Sequence, residues 1–314
     1  MHILIPDNLH KAGLAVLEAS DAVTYDAPGK MSRDAVLDAA GSAHAMIVRS
    51  GTQVDAELLK AASQLTVVVR AGVGVDNIDL DEAHKRGVTV MNTPQGNTVA
   101  TAEHTLALML ALARHIPQAQ ASMLDGQWER KRFTGTELRG KTLGLIGLGR
   151  VGQAVARRAL AFEMTVVAHD PFISPSTASE LGVALLEPDE VFAQADYLSL
   201  HTVVTPETRD MINASTLAKM KDGVRIVNAA RGVLINDHDL AAAINQGKVA
   251  GAALDVYAEE PPPPDHPLIG LPGVIDTPHL GASTVEAQEA VAVEAAHKVL
   301  NALLHATFED VVKA

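Results

Sequence analysis

Short apolar runs alternate along the chain with longer stretches whose apolar positions recur every three or four residues. Runs at residues 2–6, 45–48, 65–69 and 88–91 predict strands, and the stretches at 11–18, 56–61 and 80–86 predict helices between them. The same alternation resumes with a run at 142–146, a helix over 151–162 and a run at 165–168. Further strands are predicted at 197–200, 224–227, 249–254 and 274–276. Strands that alternate with helices form parallel sheets covered on both faces, so the pattern predicts an α/β protein. Two helical stretches are longer. Residues 98–115 are rich in Ala and Leu, with Asn97 or Thr98 as the cap, and are apolar almost all the way round; this helix should be buried between domains or against a second subunit, and Pro117 should end it. Residues 284–305 make the other, capped by Ser283 or Thr284.

The run at 142–146 ends in Gly147, Gly149 and Gly152, a GxGxxG spacing that opens the following helix. In such a turn the first glycine makes the corner, the second lets a pyrophosphate approach the backbone, and the third lets helix and strand pack closely. The free N–H groups and the positive end of the helix dipole face the phosphates. Asp170 follows the next strand, 18 residues past Gly152, where a carboxylate can accept from both ribose hydroxyls of an adenosine. A strand before it, a helix after it and an acid in place raise this motif above a chance glycine pattern. No such loop follows the first strand, where Pro6, Asp7 and Asn8 stand instead.

Composition narrows the partners. The 314 residues suit about two domains, and an apolar content of 47% is enough for two cores. A net charge of −13 and an aromatic content of 3% argue against nucleic-acid binding. With no cysteine, disulfides and thiolate chemistry are excluded, which suits a reducing cytoplasm. The first ten residues lack the features of a signal peptide, and the most apolar segment, 105–113, is too short to span a bilayer. The expectation is a soluble cytoplasmic protein with neither membrane nor nucleic-acid partner.

Strand ends carry the candidate chemistry, because ligands of open α/β sheets bind there. Arg49, Ser50 and Gly51 follow one strand, and Arg70, Ala71 and Gly72 follow another. Small residues after a strand-end arginine expose N–H groups that wrap an anion; ordinary surface turns are the other reading. Residues 127–133 hold the only tryptophan and the densest basic run, including Arg130. A solvated loop and a positive arm reaching an anionic site, on this or a neighbouring subunit, both fit. Glu103 and His104 are adjacent on a helix and cannot face one metal, so they read as structural and no metal is expected. Arg231, Asp255, Glu260 and His279 lie at or after strands of the sheet that carries the glycine turn, and could converge in one cleft. A histidine suits proton transfer near neutral pH. A carboxylate on its other nitrogen, assigned to Glu260, would fix the tautomer and raise its pKa. Arg231 could clamp a carboxylate and polarise the adjacent carbonyl. Together these describe hydride exchange between a nicotinamide and a 2-hydroxy or 2-oxo acid.

Segments 70–77, 92–97, 125–131, 147–152, 228–232, 251–256, 259–261 and 278–283 give the chain a recognisable signature. It resembles the D-2-hydroxyacid dehydrogenase family over nearly its whole length. The resemblance implies that Arg231, Glu260 and His279 are the catalytic trio. It implies that Gly147, Gly149, Arg150, Val151, Gly152, Asp170, His201, Thr202, Ala229, Ala230, Asp255, Gly281 and Ala282 line an NAD site. Arg49, Ser50, Gly51, Arg70, Ala71, Gly72, Asn97 and Arg130 are expected to hold substrate. The implied fold is two doubly wound parallel-sheet domains with a cleft between them. One is a discontinuous flavodoxin-like substrate domain, 1–96 plus 284–314, and the other a Rossmann NAD domain, 97–283. A homodimer whose cleft closes over substrate is implied as well. The likeness is greatest to members that oxidise D-3-phosphoglycerate; a hydroxypyruvate or glyoxylate reductase would share the same residues, and an NAD-sensing binding protein is the reading from another class. Three departures stand out. The chain stops at Ala314, so no appended regulatory domain is expected, Val203 replaces a customary proline, and Ala229 stands where animal members tend to have cysteine.

Overall fold

The computed structural model describes residues 1–313, which fall into two compact units: Met1–Asn97 joined by the stretch from Ala282 onward, and Thr98–Gly281. In chain order the first unit runs β1 (His2–Leu4), α1 (Lys11–Glu18), β2 (Thr24–Asp26), α2 (Arg33–Ala40), β3 (Ala45–Val48), α3 (Ala56–Ala61), β4 (Val67–Arg70), α4 (Leu80–Lys85) and β5 (Thr89–Asn92). The second unit opens with α5 (Thr98–Arg114) and α6 (Ile116–Leu124). It continues through β6 (Thr142–Ile146), α7 (Arg150–Ala161), β7 (Thr165–His169), α8 (Pro175–Glu180), β8 (Ala184–Leu185), α9 (Pro188–Gln194) and β9 (Tyr197–Leu200). It closes with α10 (Ala214–Lys219), β10 (Val224–Asn228), α11 (Asp237–Asn245), β11 (Val249–Leu254) and β12 (Val274–Asp276), and α12 (Val285–His305) returns to the first unit.

Each unit is built on one sheet. Strand order is β2-β1-β3-β4-β5 in the first and β12-β11-β10-β9-β6-β7-β8 in the second, and every strand pair in both is parallel. These are the two doubly wound orders that the family resemblance implies. β3 and β9 are buried at every position, as strands covered on both faces must be. Parallel strands place all carboxyl ends of a sheet on one edge. Strand order reverses at β1/β3 in one sheet and at β6/β9 in the other, and a crevice for a ligand opens at such a switch point. Asp7 and Arg49 follow the first pair of strands, Gly147 and His201 the second.

Two local expectations need correction. Pro117 does not end the long helix. α5 ends at Arg114, His115 takes a left-handed conformation at φ 54, and Pro117 sits in the first turn of α6. Proline lacks only an N–H that a first turn leaves unpaired anyway, so it starts a helix as readily as it stops one. The strand expected at 65–69 is β4, Val67–Arg70: the Leu65 amide closes the preceding turn on the Ala62 carbonyl at 3.1 Å, and Arg70 belongs to the strand itself. Thr284 caps α12 through the Ala287 amide. Among the described residues no helix is long and apolar enough to cross a membrane.

Candidate active site

In the second unit the chain leaves β6 at Gly147, whose φ of 97 suits glycine alone. A Cβ there would run into the His201 carbonyl, and one on Gly152 would meet the Gly147 carbonyl. A Cβ on Gly149 would meet nothing within 4 Å, and Gly149 stands at the N-cap of α7, where no side-chain hydrogen bond caps the helix. Asp170, just past β7, accepts the Leu148 amide at 2.7 Å and the Phe172 amide at 2.9 Å. Its carboxylate therefore lies against the glycine turn. His201 lies partly buried beside that turn, with Nε2 2.9 Å from the Ser199 hydroxyl, and desolvation pushes its imidazole down to about 4, leaving it neutral near pH 7.

Three strand ends of this sheet carry the candidate polar groups. At the end of β10, the buried Asn228 folds back on the loop that follows. Its carboxamide oxygen accepts the Ala230 amide at 3.0 Å and its nitrogen donates to the Arg231 carbonyl at 2.9 Å. This Asx-type turn sets Ala229, Ala230 and Arg231. After β11, the Tyr257 amide donates to one Glu260 oxygen at 3.1 Å, and the other oxygen lies 2.7 Å from His279 Nδ1. After β12, His279 itself adopts φ 55, with its amide hydrogen-bonded to the carbonyls of Asp255 and Thr277 at 2.9 and 3.0 Å.

The electrostatics follow from these contacts. The Glu260 bond raises the His279 imidazole above its usual value, outweighing burial and the opposing Arg231 charge. Burial works against ionised Glu260, yet the His279 bond, the Tyr257 amide and Arg231 hold it below the ordinary carboxylate range. Beside the pair opens a cavity of about 380 Å³, lined by Tyr257, Glu260, Pro261, Ile269, Asp276 and His279.

Asp255, expected in the same group, is 0% exposed. Its carboxylate accepts from His104 Nε2 at 3.0 Å, the Thr277 hydroxyl at 2.6 Å and the amides of Leu280 and Gly281 at 2.8 Å each. It holds the strand-end loops in place. Tyr257, whose hydroxyl meets Asp276 at 2.5 Å, is a contributor that periodicity does not disclose. Among the described residues no group of His, Cys, Asp and Glu is arranged to hold a metal.

The first unit gathers the two arginine loops. β3 pairs with β4 so that Val48 lies opposite Arg70, which makes 49–51 and 70–72 neighbours. Asp7 accepts the Arg49 amide at 2.6 Å, and Asn77 holds the Arg49 and Thr52 carbonyls at 2.8 and 2.6 Å. Sequence reasoning assigns neither residue a role, although a polar group at the end of a buried strand is the available signal. Burial lowers the Arg49 guanidinium, the Asp7 charge opposing, and its Nε is buried with no hydrogen-bond partner. Arg70 donates to the Ala71 carbonyl at 2.8 Å. The Asn97 side-chain oxygen is buried and without a partner. Arg130, by contrast, lies exposed in a turn of the second unit, apart in the chain from the arginine loops.

Comparison with known proteins gives this geometry a family. Residues 106–281, more than half of the chain, match the model of the D-isomer specific 2-hydroxyacid dehydrogenase NAD binding domain. The D-3-phosphoglycerate dehydrogenase of Archaeoglobus fulgidus is 52% identical over 86% of this chain and 51% of its own length, and that of Mycobacterium bovis 49% identical over 99% and 58%. The chain thus spans little more than half the length of these curated relatives. Among solved structures, the TT0316 protein of Thermus thermophilus superposes with a TM-score of 0.89 at 37% identity, covering 99% of this chain and 100% of its own. A glyoxylate reductase from Paecilomyes thermophila gives the same TM-score at 30% identity, covering 99% and 98%. A glycine turn at the sheet's switch point, a paired His and Glu at neighbouring strand ends and these matches agree: the chain belongs to the D-isomer specific 2-hydroxyacid dehydrogenase family.

Proposed function

We propose that the protein is an NAD-dependent dehydrogenase that oxidises D-3-phosphoglycerate to 3-phosphooxypyruvate, the entry to serine synthesis. The substrate follows the name shared by relatives 45–52% identical to this chain. The observation that carries the reaction is the 2.7 Å pairing of His279 with Glu260 beside Arg231. With Nδ1–H held by the carboxylate, Nε2 is the basic nitrogen, and it takes the proton of the substrate hydroxyl. Glu260 stabilises the imidazolium that forms. Arg231 binds the carboxylate of the acid and polarises the adjoining carbonyl as it develops.

The open face of Gly149, the α7 amides behind it and the Asp170 carboxylate fit a dinucleotide, with Asp170 opposing a 2′-phosphate and so favouring NAD. Bound there, the nicotinamide would accept the hydride that leaves the substrate carbon. Arg150, Val151, His201, Thr202, Ala229, Ala230, Asp255, Gly281 and Ala282 are assigned to the remainder of that site. Asp255 acts by shaping it, since its carboxylate is fully engaged. We assign Arg49 and Arg70, with the basic turn around Arg130, to the substrate's phosphate. The buried, partnerless Nε of Arg49 supports its part in this. Replacing His279 with Ala should lower kcat by about 10²- to 10⁴-fold while NADH still binds; turnover near the parent rate would remove His279 as the proton carrier.

A homodimer in the cytoplasm belongs to the same reading. Leu124 and Trp128 are 78% and 72% exposed, at the end of α6 and in the loop after it, and Ile116 and Met123 of the same helix are exposed as well. Exposed apolar side chains along one helix and the loop after it suit a contact with a second copy.

A further inference from the structure

His104 reads from the sequence as a structural residue of α5, yet its contact leads directly to the dyad. Asp255 Oδ2 accepts the Gly281 amide, and Oδ1 accepts the Leu280 amide and the Thr277 hydroxyl. His279 sits between these donors at φ 55, its own amide on the Asp255 carbonyl. The Asp255 carboxylate is thus the knot that ties the turn presenting His279. Three of its four donors come from the very segment it restrains. Only the His104 bond, across 151 residues of sequence, comes from a different element. A carboxylate held by its own loop alone would move with that loop. His104 anchors it to α5, which has 17 residues and packs against β10, β11 and β12. A carboxylate oxygen can only accept, so Nε2 carries the hydrogen. Burial opposes the charge on Asp255, and the His104, Thr277 and Leu280 bonds overcome it and keep the group ionised.

We propose that His104 is a positioning residue for the dehydrogenase reaction: its Nε2–H fixes the Asp255 carboxylate, which fixes the Leu280 and Gly281 amides and hence the left-handed turn that aims His279. The proposal rests on the reading of His279 as the proton carrier.

Two variants of the whole chain separate its parts. His104→Leu fills the same space without a donor, whereas His104→Gln offers an amide N–H at a comparable reach. His104→Leu should lower kcat by at least about tenfold, the scale expected when a reacting group is displaced by a fraction of an ångström, with KM for the acid and affinity for NADH within about twofold of the parent. His104→Gln should restore kcat to within about threefold. Amide hydrogen exchange at Leu280 and Gly281 should accelerate in His104→Leu and return to the parent rate in His104→Gln. That readout needs no turnover, so it stands even if the assigned substrate is wrong. Parent-like kcat and exchange in His104→Leu, or equal impairment in both variants, would overturn the proposal. Should His104→Leu fail to fold, His104→Asn takes its place, its amide being too short to reach Asp255; the same losses are expected, and parent-like behaviour would count equally against it.

Discussion

His279 is presented from a backbone conformation that most residues avoid, and the reason is visible in its contacts. Its amide, and those of the next two residues, all bind Asp255. The proton chemistry then has a definite sign. With His279 as the proposed proton carrier, oxidation uses its neutral form, so kcat/KM for oxidation should rise with pH through an inflection above 6.5, the direction in which Glu260 shifts the imidazole. Reduction of the oxo acid should fall through the same inflection. Glu260→Gln removes the largest raising cause and leaves burial and Arg231, which lower the group, against the Asp255 charge, which raises it. The oxidation profile of that variant should move to lower pH; an unmoved inflection in a pH–rate series would show that the pairing does not set it. At the cofactor end, Asp170→Ala should raise the use of NADP relative to NAD by about tenfold or more, and an unchanged ratio of the two kcat/KM values would remove Asp170 from the ribose. The strand-end positions of Arg231, Glu260 and His279 were legible, since each follows a strand and the strands are parallel, and the structure pairs His279 with Glu260. Their supports were not. The Tyr257 amide that holds Glu260, and His104 behind Asp255, are contacts between segments that no local pattern joins.

The strands and helices that position the site were largely readable because buried parallel strands are nearly pure apolar runs, and the long helices repeat on a helical period. β2 (Thr24–Asp26) escaped notice because it is a short edge strand with exposed polar ends, and α8 (Pro175–Glu180) because its residues PSTASE carry little apolar periodicity. α6 was hidden by the rule that proline stops helices. One substitution tests the glycine corner as a packing device. Gly152→Ala puts a methyl against the Gly147 carbonyl, and should lower stability by about 1–3 kcal/mol and weaken NADH binding together. Denaturation midpoints and NADH titrations would check this; a variant with both unchanged would mean the turn has slack. A second device lies in the other unit. Lys298 on α12 is 4% exposed and donates at 2.7 Å to the Asn92 carbonyl, Glu294 and Asp310, joining β5 and the tail to α12. Lys298→Met leaves two partly exposed carboxylates without their cation and should cost about 1–3 kcal/mol, less than for a fully buried pair. Urea unfolding measures it, and an unchanged midpoint would mean water replaces the ammonium.

At the scale of the whole chain, the dinucleotide turn belongs to a unit inserted into another one, which is why its glycines begin at residue 147 and not after the first strand. Alternation of strands and helices could show parallel sheets but not that the C-terminal helix returns to the first unit. That division came from the resemblance, because strand order depends on crossovers that periodicity does not record. The exposed apolar surface of α6 predicts self-association. Sedimentation should give a dimer, and Leu124→Asp together with Trp128→Asp should shift it to monomer; a parent chain that sediments as a monomer at micromolar concentration would contradict that part. The chain matches only 51–59% of the length of its curated relatives, so its own activity is the point to establish. The most direct measurement is the initial rate of NAD reduction with D-3-phosphoglycerate set against D-glycerate and D-lactate, with glyoxylate and hydroxypyruvate tested in the reverse direction. kcat/KM should be highest for D-3-phosphoglycerate by at least about a hundredfold, the effect of a phosphate bound by charged, hydrogen-bonded groups. A preference for any of the unphosphorylated acids would contradict it.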